Sequence, residues 1–219
     1  MLAMLWPAAR TTFLAGAWML LALPALPAAA QDGESFRQLG TKIVTEVRDG
    51  GLAFSMTANI VALDPALHVE WATSSPIAAT GNRMIAAAAL ADSRVHCECY
   101  RGREWRVSNE QTAIWLSREI LEDLRAGGET LFAFNETGNE LTETPLRFLR
   151  RDRFELEIDG APASLPAVVA VTGQGTEIWI HDHVDDPLLL AVNGAWSSRV
   201  TALRTRAPEL IGNWVTVDG

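Results

Sequence analysis

Phe154-Glu155-Leu156-Glu157-Ile158-Asp159-Gly160 is the stretch that decides how the chain folds. Apolar residues alternate with acids, the period-two pattern of a strand with one buried face. The Asp-Gly that ends the run is a strong signal for a two-residue hairpin turn. Upstream, Thr130-Leu131-Phe132-Ala133-Phe134 leads to the turn residues Thr137-Gly138-Asn139, and Pro145 interrupts the next run, which predicts an edge or a bend there. Downstream, strand-like segments follow at Val168–Val171, Thr176–Ile180, Leu188–Val192 and Trp196–Leu203. Turn signals recur about every 8–12 residues, the spacing of a sandwich or barrel. The fold class expected is mainly β with one or two short helices (α+β), with an antiparallel sandwich or barrel-like sheet in the C-terminal half.

The region before about residue 129 is mixed. Residues 32–48 combine helical and strand signals and end at Asp49-Gly50-Gly51. Leu52–Ala58 and Leu67–Thr73 read as strands; in the second, Leu67, Val69 and Trp71 alternate with His68 and Glu70. Arg83–Asp92 is alanine-rich and reads as a short helix, and Arg94–Tyr100 with Glu104–Val107 as a hairpin joined at Arg101-Gly102-Arg103. Another helix has clear punctuation. Ser117 caps it, Glu119, Glu122 and Asp123 suit its N-terminal half, and Gly127-Gly128 stops it.

The first thirty residues carry a single charge, Arg10. After it runs an apolar segment of signal-peptide length, broken by Pro24 and Pro27 and ending in Ala28-Ala29-Ala30, the small residues a signal peptidase needs. The reading is a cleaved signal over 1–30 and one globular domain over 31–219, with no membrane span after cleavage and a periplasmic or secreted location. The alternative is a retained anchor, since a spanning helix needs about 20 apolar residues. A formal net charge of −9 argues against a nucleic-acid binder, which shows a basic face. Six of the eight tryptophans lie beyond residue 30, which argues against disorder.

Two short motifs carry the chemistry worth weighing. Cys97-Glu98-Cys99 and His181-Asp182-His183 each place two like residues on one side of a strand, since alternate side chains share a face. Brought together, Cys97, Cys99, His181 and His183 form a Cys₂His₂ set suited to zinc, or to copper as Cu(I). Equally ordinary are two cysteines packed as small hydrophobes, or a local disulfide in an oxidising compartment. That disulfide requires a bend, because residues two apart in an extended strand sit about 6.6–6.8 Å apart, at the upper edge of disulfide geometry. Asp185-Asp186 before Pro187 reads as a solvated turn. Arg147, Arg150, Arg151 and Arg153 read either as an anion site or as a solvated face offsetting neighbouring acids. No Gly-x-Ser-x-Gly elbow and no glycine-rich phosphate loop is present.

The stretch from Thr144-Pro145-Leu146 through Phe154–Gly160, then Leu165-Pro166-Ala167, Trp179-Ile180 and Asp185-Asp186-Pro187-Leu188, resembles exported bacterial β-rich domains, some of which precede an OmpA-like peptidoglycan-binding module. The resemblance covers about the last 80 residues and is carried by strand and turn grammar. It implies an envelope compartment and a β-rich fold, and supplies no catalytic residues. Together these readings point to a non-catalytic binding or structural module of the cell envelope, with an envelope protein or ligand as partner. The alternative is a zinc- or copper-binding protein; otherwise no cofactor is expected.

Overall fold

Ala167-Val168-Val169-Ala170 shows no alternation because both faces of its strand are covered, the situation that makes a strand uniformly apolar. Leu165 and Ala167 enter one apolar core while Val168 and Ala170 enter another. The computed structural model describes residues 34–100, 104–137 and 140–205. The expected signal segment, the cleavage point before Gln31 and the turn at Arg101–Arg103 lie outside them.

Among the described residues the chain is mainly β, with β1 (Lys42–Asp49), β2 (Leu52–Ala62), β3 (Ala66–Thr73), β4 (Thr80–Ala86), α1 (Ala87–Asp92), β5 (Val95–His96) and β6 (Glu104–Ser108). Then follow α2 (Arg118–Arg125), β7 (Glu129–Phe134), β8 (Thr142–Ile158), β9 (Ala161–Thr172), β10 (Glu177–His181), β11 (Leu189–Asn193) and β12 (Ser197–Arg204). One sheet contains every strand, in the order β5-β7-β8-β9-β10-β11-β12-β1-β2-β3-β4-β6. The end of β8 also pairs in parallel with β12, through Ala202 opposite Glu157 and Leu203 opposite Ile158. Strands β8 to β12 therefore close into a ring, the barrel-like element of the C-terminal half, while β1–β4 extend from β12 as an antiparallel flank.

The hairpin expected at Asp159-Gly160 joins β8 to β9, with both residues at positive φ (50° and 86°), the backbone that the mirror-image two-residue turn demands. Helix α2 begins where Ser117 accepts a bond from the Ile120 N–H. It buries Ile120, Leu121 and Leu124 against Phe132, Phe134 and Ile180.

Several local expectations change. Pro145 lies opposite Leu131 of β7, and its carbonyl accepts from Gly173 N at 2.9 Å, so it stands between two neighbours rather than at an edge. Arg83–Asp92 divides into the end of β4 and the short α1. Strands β5 and β6 do not form a hairpin. Strand β5 runs parallel to β7 and β6 parallel to β4, so the chain between them passes from one end of the sheet to the other.

Candidate functional site

That crossing holds Cys97-Glu98-Cys99. Beneath it lies Arg83 of β4, only 3% exposed. Its guanidinium donates to the Cys97 carbonyl at 2.8 Å and to the Cys99 carbonyl, and sits 4.5 Å over the Tyr100 ring. Strand β5 ends at His96, and the chain curls immediately after it. The curl brings the Cys97 and Cys99 Cα atoms to 5.2 Å, and the two side chains form a disulfide. This is the bend that a local crosslink requires.

Glu98 points inward from the same turn. Its Oε1 accepts from the Ile114 N–H at 2.7 Å and lies 2.9 Å from His96 Nε2. The other imidazole nitrogen lies 3.0 Å from Thr112 Oγ1, whose hydroxyl donates to the Val95 carbonyl. Both ring nitrogens of this fully buried histidine thus have partners. Burial pushes the Glu98 carboxyl up, but the His96 bond and charge, the Ile114 N–H and the Arg83 charge outweigh it and hold the group below the ordinary glutamate range. Ile114 adopts φ 65°, a conformation a β-branched residue takes only when its surroundings hold it there. Glu98 grips its N–H on one side, and its carbonyl accepts from Leu189 N at 2.8 Å on the other.

One residue further on, Trp115 Nε1 donates to Asp186 Oδ1 at 2.6 Å, and the Phe36 N–H donates to Oδ2 at 2.5 Å. Asp186 is fully buried. Burial pushes its carboxyl up, while His181, Phe36 N and Trp115 together hold it below the ordinary aspartate range. His181 Nδ1 donates to the Asp186 carbonyl at 3.1 Å, and its ring stacks on His183 with centroids 5.6 Å apart. Asp186 is thus no solvated turn residue, whereas its neighbour Asp185 is exposed and pairs at 3.8 Å with Arg118.

The four residues expected as a metal set fall into two separate arrangements. Cys97 and Cys99 bond to each other, and a disulfide sulfur is not the thiolate that zinc or copper binds. His181 is committed to Asp186 and packs against Phe36 and His183. Among the described residues no group of three or more His, Cys, Asp or Glu is arranged to hold a metal ion. The physical reason is the curl after His96, which turns the two sulfurs toward each other and into a bond. Among the described residues, the arginines of β8 pair not with Glu155 and Glu157, the neighbouring acids of their solvated-face reading, but with other partners. Arg147 pairs with Glu129, Arg150 with Asp152 and Glu177, Arg151 with Asp182, and Arg153 with Ser164.

Against the disulfide turn opens a cavity of about 230 Å³. Strands β1 and β2 supply Val47, Phe54 and Met56, the turn supplies Glu98 and Tyr100, and Trp196 closes the side nearest β12. Asn135 ties these walls together, accepting from Glu98 N at its Oδ1 (2.9 Å) and from Trp196 Nε1 at its carbonyl (3.0 Å). A second cleft of about 320 Å³ lies between Arg37, Leu63, Leu90 and Arg118. Its rim includes the Arg118–Asp185 pair but none of the buried network. Sequence reading singled out the cysteines and missed Arg83, Glu98, Asn135 and Asp186. For Glu98 a signal existed, since His96 stands two residues before it on the same side of the chain. No family model, no curated protein and no solved structure matches this chain.

Proposed function

We propose that the protein is an exported binding module of the cell envelope whose ligand presents a compact, mainly apolar group to the cavity beside the Cys97–Cys99 turn. Export is supported by the charge-poor N-terminal segment with its small residues at Ala28-Ala29-Ala30, and a disulfide suits an oxidising compartment. The observation that carries the binding reading is the cavity itself. Aromatic and aliphatic side chains form its walls, and a few polar groups stand among them, the usual composition of a ligand pocket. At its edge Glu98 Oε1 is engaged by His96 and Ile114, and Asp49, Thr45 and Ser198 supply the further polar groups of the lining.

The test is titration of the purified protein with the fluorescent apolar probe N-phenyl-1-naphthylamine. We expect saturable binding, weakened at least about tenfold by Ser198→Phe, which fills the cavity at a position able to lose one contact's worth of binding energy. Absence of saturable binding rejects the reading. Intact mass of the protein recovered from a Gram-negative periplasm tests export separately, with a start at Gln31 expected.

A further inference from the structure

Glu98 and Tyr100 of the disulfide turn line the cavity, and the sulfur chemistry of the turn has no part in the binding described above. We propose that Cys97–Cys99 is an exchange-active disulfide that accepts two electrons from the paired thiols of a polypeptide whose apolar side chain sits in the cavity. The seat rests on the binding reading; the sulfur chemistry does not.

Four features carry it. First, the two residues are unequally exposed: Cys97 is buried at 2% exposure, while Cys99 is partly open. An incoming thiolate thus meets one sulfur, and the other is a defined leaving group. Second, only one residue separates the cysteines. Closing so short a loop removes little entropy from the unfolded chain, so the crosslink contributes little to stability through that route. Third, the turn does not depend on the S–S bond for its shape. Arg83 holds the carbonyls of both cysteines, and Asn135 Oδ1 accepts from the N–H of the residue between them. Opening the bond leaves both thiols in place for reclosure. Fourth, the Arg83 guanidinium is a buried positive charge within the turn, and a neighbouring cation favours thiolate over thiol. The Glu98 carboxylate of the same turn forms its hydrogen bonds with His96 and Ile114 and offsets part of the Arg83 charge. A leaving thiol of lowered pKa departs faster.

The exchange balances as follows. A substrate thiolate attacks Cys99 Sγ; the Cys97–Cys99 bond breaks, and Cys97 departs as thiolate. The substrate's second thiolate then attacks the substrate sulfur of the mixed disulfide. This forms the substrate disulfide and releases Cys99 as thiolate. The two substrate protons pass through solvent to the two released cysteines. The substrate dithiol is oxidised and the protein disulfide reduced, one for one.

The experiment incubates the native protein with reduced glutathione, traps thiols by alkylation at intervals and reads them by mass. We expect opening of the native disulfide at a rate unchanged by urea below the unfolding transition. Opening that appears only as the protein unfolds overturns the proposal, and this arm needs no variant. Single-cysteine variants sharpen it: with oxidised glutathione, Cys97→Ser leaves Cys99 forming a mixed disulfide at least about tenfold faster than Cys97 does in Cys99→Ser. Equal rates in the two folded variants overturn the assignment of the attacked sulfur. Reduced ribonuclease A serves as the dithiol polypeptide. One ribonuclease disulfide gained per protein disulfide lost, slowed by the apolar probe, supports the seat. The Cys97→Ser, Cys99→Ser double variant retains probe binding if the cavity reading holds. Exchange with glutathione but no probe competition overturns the seat alone and leaves the sulfur chemistry standing.

Discussion

At one end of the Thr112–Leu116 segment, His96 meets Glu98 side chain to side chain at 2.9 Å, and the carboxylate spends its remaining capacity on one backbone N–H. At the other end His181 reaches the backbone carbonyl of Asp186, with the carboxylate 3.8 Å away and occupied instead by Phe36 N and Trp115 Nε1. The residue types are nearly the same and the uses differ. Asp186 is a structural anchor, tying the first described residues and the buried Trp115 to the turn before β11. Glu98 balances a buried histidine, fixes the strained Ile114 and borders a cavity. Two acids of equal charge thus separate into one that holds the fold and one that shapes a surface, according to whether backbone and indole donors or an imidazole take up their lone pairs.

The comparison can be broken by substitution. The largest effect is expected from Asp186→Ala, which strands the Phe36 N–H and the Trp115 indole in the interior. We expect a loss of about 3–5 kcal/mol, the cost of removing one partner from a buried charged cluster. In a domain of this size that lowers Tm by roughly 10 °C, read by calorimetry. Glu98→Gln keeps an acceptor for Ile114 N but removes the charge facing His96, and is expected to cost about 1–3 kcal/mol by denaturant titration. If Glu98→Gln proves the more damaging of the two, the division of roles is wrong.

Acid sharpens the contrast. Both carboxyls are held below their ordinary values in the fold. Their contribution is therefore complete above the unfolded values near pH 4 and is lost as pH falls toward the lower folded values. Stability measured between pH 7 and pH 3 is expected to decline below about pH 4. Asp186→Asn and Glu98→Gln are each expected to flatten that decline in part. The smallest effect belongs to the exposed arginines of β8. Arg150→Ala removes pairs with Asp152 and Glu177 and stacking over Trp179, and is expected to leave the denaturant midpoint close to that of the parent protein.

The β8–β9 hairpin and helix α2 were legible because local grammar and final structure agree there: alternation, Asp-Gly, a Ser cap and a Gly-Gly stop. The crossing at residues 95–100 was not. Its turn is held by Arg83, supplied by a different strand, and by Asn135 and Ile114, and a local pattern cannot show partners from fourteen to thirty-seven residues away. Parallel pairing of β5 with β7 and of β6 with β4 is likewise nonlocal, which is why two adjacent strand-like runs read as a hairpin. At the site, the sequence offered the cysteines, and their bond needed the bend that only the fold provides. The second aspartate of Asp185-Asp186-Pro187 carried nothing to distinguish it from the first, because its burial is created by Trp115 and Phe36 from far along the chain.

Strand β12 is hydrogen-bonded to β11, to β8 and to β1, the earliest strand of the described chain. The ladder that joins the ring to the antiparallel flank therefore cannot form until residues near 204 have been synthesised. A nascent chain has its hairpins available early but not its central seam, since contacts so distant in sequence form slowly and late. Such a polypeptide completes its central seam only once β12, the last strand among the described residues, has been made.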